Sequence, residues 1–136
     1  MSDSMTQLDE FLEQWRDGEE QNKKAFLILR ELLSSWEQVQ LEFIVREGVT
    51  YSLRARHEEQ TARPLFVMVD IIEGEPRWLS VCLYADMIKD PEEKGDFVPE
   101  GLLGEDALCF DVEHYSQEDL EYLQERLREA RQSATS

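Results

Sequence analysis

This sequence predicts an α+β fold, an antiparallel sheet of about five strands with two N-terminal helices and a C-terminal helix packed on it. Three observations predict it. Apolar residues recur at spacings of three and four near both ends, as amphipathic helices require. Between them the pattern shortens to alternation and to brief apolar runs bounded by Gly and Pro, as strands require. The 136 residues, 41% of them hydrophobic, suffice for one ordinary core. The expected organisation is a single domain over 1–136. It comprises an acidic N-terminal helix in 1–22, a core over 23–131 and a frayed tail at 132–136.

The first helix opens on Ser4 and Gln7, spaced as a capping box, and carries a stripe of Met5, Leu8, Leu12 and Trp15 widened by Phe11. Asp17-Gly18 reads as its stop, since Gly tolerates a left-handed position after a helix. Ala25, Leu29, Leu32, Leu33 and Trp36 form a second stripe, broadened by Phe26 and Ile28. So wide an apolar arc predicts a helix lying against the core on two sides.

In LEFIVREGVTYSLRAR, directly opposed residues of an antiparallel pair must project from the same face. A two-residue Glu47-Gly48 loop sets Phe43 against Ser52 and mixes the faces. A three- or five-residue loop centred on Gly48 sets Val45 against Tyr51, Phe43 against Leu53 and Leu41 against Ala55. It also pairs Ile44 with Ser52 and Glu42 with Arg54, giving one apolar and one largely polar face. Leu65 to Ile72 and Trp78 to Ala85 are apolar almost throughout, which predicts two strands covered on both faces and joined by the turn Glu73-Gly74-Glu75-Pro76. His57 to Arg63 reads as a polar loop. Asp86 to Asp106 reads as a long acidic connection punctuated by Pro91, Gly95, Pro99, Gly101 and Gly104. A fifth strand alternates Leu108, Phe110 and Val112 against Cys109, Asp111 and Glu113. Ser116 then caps a last helix whose buried stripe is Leu120, Leu123, Leu127 and Ala130, with Tyr115 placed to staple against Leu120.

Net charge is -17 and unevenly spread: -6 over residues 1–22, -2 over 23–88 and -9 over 89–136. Such a field repels phosphate backbones and anionic lipid and attracts basic proteins or cations, so neither nucleic acid nor membrane is an expected partner. No apolar run approaches the roughly 20 residues of a membrane span. The opening MSDSMTQLDEFLEQW has no basic start or apolar stretch, and a cytoplasmic location is expected. Cys82 and Cys109 lie far apart within apolar segments and read as buried free thiols rather than a disulfide.

Candidate chemistry is sparse. Asp90-Pro91-Glu92-Glu93-Lys94-Gly95 begins like a calcium loop but places Lys94 at the fifth position and Gly101 at the twelfth, where oxygen ligands belong. Asp111, Glu113 and His114 offer oxygen and imidazole donors at the end of the fifth strand, and a solvated strand end is the preferred interpretation. With only His57 and His114 to serve as bases, and no nucleophile elbow, phosphate loop or CxxC, neither an enzyme nor a cofactor is expected. Arg46, Arg54 and Arg56 share one sheet face with Thr50 and Ser52, a basic strip in an acidic protein. They are candidates to hold an acidic group, the alternative being cross-strand pairing with Glu42 and its neighbours.

The layout carried by RPLFVMVDIIEGEPRWLSVCLYAD and ALCFDVEHYSQEDLEYLQERL resembles small bacterial α+β domains of the MmcQ/YjbR-like kind, over roughly residues 23–131. That resemblance implies DNA binding, against which the net charge stands; no diagnostic motif carries a residue role across. Size and charge also resemble the small acidic chaperones of bacterial secretion systems, whose usual element order differs. The expectation is a cytosolic, non-catalytic binding or interaction module with a basic protein partner. Self-association would cover the two apolar strands. The competing expectation is a small-molecule or metal-binding protein with its site at the end of the sheet.

Overall fold

The computed structural model describes residues 3–135. Helices α1 (Asp3–Gln14) and α2 (Asn22–Ser34) precede strands β1 (Val39–Arg46), β2 (Thr50–His57), β3 (Val67–Ile72) and β4 (Trp78–Tyr84). Then come a short 3-10 turn (Ala85–Met87), strands β5 (Asp96–Leu102) and β6 (Glu105–Val112), and helix α3 (Gln117–Ala134). The strands form one antiparallel sheet in the order β1-β2-β3-β4-β6-β5. The α+β class and the placement of the helices are as expected, with six strands where about five were predicted.

The β1–β2 register is the one that parity selects, with Phe43 opposite Leu53, Leu41 opposite Ala55 and Glu42 opposite Arg54. The loop is the three residues Glu47 to Val49, and Gly48 supplies the positive φ of 75° it needs. Strand β6 also follows its predicted alternation, and Ser116 caps α3 by accepting the Asp119 amide at 3.3 Å.

Several expectations are overturned. The segment 86–106 is not merely a connection, because Asp96–Leu102 is strand β5, hairpinned onto β6 through Leu103 and Gly104 with φ of 51° and 89°. Two consecutive positive φ values suit the twist of a tight hairpin. Ser4 is not a cap: it lies inside α1, and its hydroxyl exchanges hydrogen bonds with both backbone groups of Phe43, tying α1 to the edge strand β1. Nor does Asp17 end α1, which stops at Gln14. Its carboxylate instead accepts the amides of Lys23 and Lys24, each at 3.1 Å, capping α2 from outside. His57 is no loop residue but the buried last residue of β2, its Nδ1 accepting the Glu59 amide at 3.1 Å. The expected frayed tail begins too early, since α3 runs to Ala134; Ser136 lies outside the described residues.

The core lies between the helices and one face of the sheet. Phe11 packs on Phe43 and Tyr51, Trp15 on Phe26, and Tyr122 on Phe110. Leu53, Val69, Ile71, Leu79 and Val81 are wholly buried beneath them. Arg77 is wedged into this seam, its guanidinium 4.8 Å from the Phe11 ring centre and 5.4 Å from that of Tyr51. Glu73 pairs with it at 3.1 Å and accepts the Tyr51 hydroxyl at 3.0 Å. The arginine holds the Glu73 carboxyl below its ordinary range.

The opposite face is where the fold departs most from expectation. Strand β3 alternates buried and half-buried residues along its length. Val67, Val69 and Ile71 face the helices, whereas Met68, Asp70 and Ile72 face away from them. Both faces were expected to be covered; among the described residues helices cover only one.

A candidate binding face on the uncovered side of the sheet

Register places the outward side chains of this face in rows across the strands. One row runs Glu42, Arg54, Met68, Cys82, Cys109 and Asp96 from β1 to β5. The next runs Ile44, Ser52, Asp70, Ser80 and Asp111 from β1 to β6. Beyond it stand Arg46, Thr50, Ile72 and Trp78. At the other end of the face Arg63 roofs Tyr84, with its guanidinium 4.2 Å from the ring centre. The same group binds Asp86 at 2.7 Å and Glu105 at 2.7 Å, and it holds the Asp86 carboxyl below its usual range. The exposed part of the face is therefore the stretch from the Arg54 row to the Trp78 row.

Charge on this stretch is polarised. Arg46, Arg54 and Arg56, the predicted strip, lie together on the β1–β2 side. Arg56 donates to Gln40 Oε1 at 2.6 Å, and Arg54 Nε donates to Ser52 Oγ at 3.3 Å. Among the described residues none of the three makes an ion pair within 4 Å, although Glu42 stands directly opposite Arg54. The arginines thus share a face without a direct ion pair, although Arg54 and Arg46 act on Asp70 at longer range. Asp111 and Asp96 lie on the β6–β5 side, and burial together with Asp96 and Glu113 raises the Asp111 pKa. Apolar Met68, Ile72, Trp78 and Cys82 separate the two charged sides.

Asp70 stands at the centre. Ser52 is its cross-strand neighbour on β2, but Oδ1 is buried with no partner. Burial raises its pKa against the pull of Ser52, Arg54 and Arg46. The predicted site residues did not include it, because one acid within an apolar run signals a strand without revealing which neighbours flank it.

Asp111 and His114 line one cavity of about 240 Å³ with Asp119 and Lys94, but the predicted donors do not form a metal-binding group among the described residues. Asp111 lies on the face, while Glu113 and His114 are exposed beyond the end of β6. Among the described residues no group of three His, Cys, Asp or Glu side chains could hold a metal ion. Asp90 spends its carboxylate closing its own loop, accepting the amides of Lys94 at 3.1 Å and Gly95 at 3.0 Å and the Tyr122 hydroxyl.

A cavity of about 460 Å³ lies elsewhere, between the α1–α2 turn and the β3–β4 turn, lined by Trp15, Asp17, Asn22, Glu73 and Arg77 among others. Several of its polar groups are committed to the fold, though Asn22 Oδ1 is buried with no partner. Asp17 caps α2, Arg77 is paired, and Asn22 Nδ2 donates to the carbonyls of Arg77 at 2.8 Å and Glu113 at 3.2 Å.

No family model, curated protein or solved structure matches this chain. Among the described residues no helix is long and apolar enough to cross a membrane.

Proposed function

We propose that this chain is a non-catalytic interaction module whose uncovered sheet face binds a second copy of itself. The observation that carries the proposal is the charge polarity of that face. A two-fold axis parallel to the strands, between β3 and β4, lays each chain's β1–β2 side over the other's β6–β5 side. Arg54 then falls over the second copy's Cys109, beside its Asp111 and Asp96, and Arg46 lies diagonal to its Asp111, while Ile72 meets Trp78, Met68 meets Cys82 and Glu42 falls over Asp96 at the rim. The same operation sets Asp70 over the second copy's Ser80, a hydroxyl donor suited to the orphaned Oδ1. A two-fold is the commonest closed assembly, and its contact must be complementary to itself, as this face is.

Such a dimer covers Arg54 and Arg46 and leaves the acidic helices α1 and α3 on the outer side, where a basic protein would be the favoured further partner. Long-range repulsion between the two acidic chains is screened beyond about 8 Å at physiological salt. Sedimentation velocity at micromolar concentration is the test. The expected species is a dimer, weakened by Arg54→Glu or Asp111→Arg alone and regained when the two are combined. A wild-type chain that stays monomeric at both physiological and raised salt overturns the proposal, as does a dimer indifferent to both substitutions.

A further inference from the structure

Cys82 and Cys109 are separated by 26 intervening residues in the chain, yet β4 and β6 make them direct cross-strand partners on the uncovered face. Opposed residues of an antiparallel pair have Cα atoms about 4.5–5.5 Å apart, inside the roughly 4.4–6.8 Å that a disulfide spans. Parity points both side chains outward, with Cys82 9% exposed and Cys109 half-buried. No helix covers them. We propose that this pair is a dithiol site that closes reversibly to an intramolecular disulfide by exchange with a small-molecule disulfide such as oxidised glutathione.

The surroundings divide the labour. The neighbouring Cys109 thiol and the Ser80 hydroxyl, 3.6 Å from Cys82 Sγ, both favour the Cys82 thiolate, and its pKa falls despite burial. The Cys109 thiol is pushed up by its Cys82 neighbour, with burial and Asp111 adding to the effect. Cys82 is therefore the attacking sulfur. Its thiolate attacks one sulfur of the disulfide, forming a mixed disulfide and expelling a thiolate that takes up a proton. Cys109 then loses its proton and attacks Cys82 Sγ, closing the cross-strand bond and releasing the second small thiol. The protein gives up two protons and two electrons, and the small disulfide becomes two thiols.

The inference rests on the chain's own strands and does not require the dimer. Should the face be filled by a second copy, the dissociated chain is the one that reacts. The experiment is to equilibrate the folded full-length chain with excess oxidised glutathione and quench in acid. Remaining thiols are then alkylated under denaturing conditions, and the intact protein is weighed. The expected product is a single chain two hydrogens lighter, carrying no alkyl group and restored by dithiothreitol. Cys109→Ser is expected to stop at one glutathionyl group on Cys82, and Cys82→Ser to react about tenfold more slowly. The same measurement on Arg54→Glu separates chemistry from assembly. Closure in that variant alone supports the dithiol site and shows the wild-type face to be covered. Two free thiols in both proteins overturn the inference. So does a mixed disulfide that never closes in the wild type, or a bond joining two chains.

Discussion

Ile71 and Ile72 are neighbours on β3 and occupy opposite environments. Ile71 is wholly buried beneath the helices, whereas Ile72 is half-buried on the face that no helix covers. The same contrast holds between Val69, wholly buried, and Met68, half-buried. On the covered side Arg77 is satisfied by Glu73 and three aromatic rings, although Asn22 Oδ1 and Arg126 Nη1 are buried there without partners. On the other side arginines lack ion-pair partners and a carboxylate oxygen lacks a donor. What separates the two faces is cover: the helices bury one, while the other leaves apolar side chains and arginines half-buried or exposed.

Substituting each isoleucine in turn measures that contrast most strongly. Ile71→Ala should cost about 4 kcal/mol of unfolding free energy, through lost transfer energy and a cavity that packed neighbours cannot fill. Ile72→Ala should cost about 1 kcal/mol in the monomer, because much of its surface is already in water. Urea unfolding at two protein concentrations checks both; equal costs would mean that the faces are not distinct. Arg77→Ala comes next, at about 2 kcal/mol, since it removes a desolvated cation from three rings and strands Glu73. Its loss should appear in thermal unfolding, accompanied by faster hydrogen exchange in α1.

Asp70→Asn tests the uncovered face through its sign. The Asp70 pKa is raised in the native state, so the folded chain binds this proton more tightly than the unfolded chain does. Its contribution to stability is present at low pH and lost as pH rises through the interval between the two values. Asp70→Asn should accordingly raise Tm at neutral pH and give no gain below the ordinary carboxylate range. Glu73 and Asp86, lowered by Arg77 and Arg63, act in the opposite sense and lose their contribution on acidification. Calorimetry across pH, comparing wild type with Asp70→Asn, separates the two behaviours.

A smaller effect concerns Glu42 and Arg54, which share the face but form no ion pair. Reversing both charges should cost less than the sum of the single reversals, with coupling on the order of 0.2–1 kcal/mol in a double-mutant cycle. The smallest expected effect is none. Three arginines do not reverse a field of -17, so fluorescence anisotropy with duplex DNA at physiological salt should stay flat at micromolar protein.

The β1–β2 register was legible because polarity alternates there and only one parity sorts Phe43, Leu53 and Ala55 from Glu42, Arg54 and Ser52. The α3 cap and stripe were legible for the corresponding helical reason. Strand β5 was not. Its Asp96, Pro99, Glu100 and Gly101 are turn-like residues, and an exposed edge strand tolerates them because one side of its backbone needs no partner. The runs in β3 and β4 were misleading in another way. Met68, Ile72, Trp78 and Cys82 are apolar enough to imply a cover, but composition cannot say whether the cover belongs to the same chain. The Arg strip was visible from parity alone. The Cys82–Cys109 pair was not, because its alignment depends on the β4–β6 register, which the chain reaches only after a hairpin that read as a loop.

The strand order also bears on how the molecule assembles. Strands β1 to β4 pair strictly with their chain neighbours, and β5 pairs with β6 across two residues, so both pieces are made of local contacts that form early. Joining β6 to β4 means closing residues 85–104, the longest excursion between paired strands, and that step costs the most loop entropy. The hairpin of β5 and β6 is thus a flap that docks last and opens first. The seam on which it docks is the one that carries both thiols.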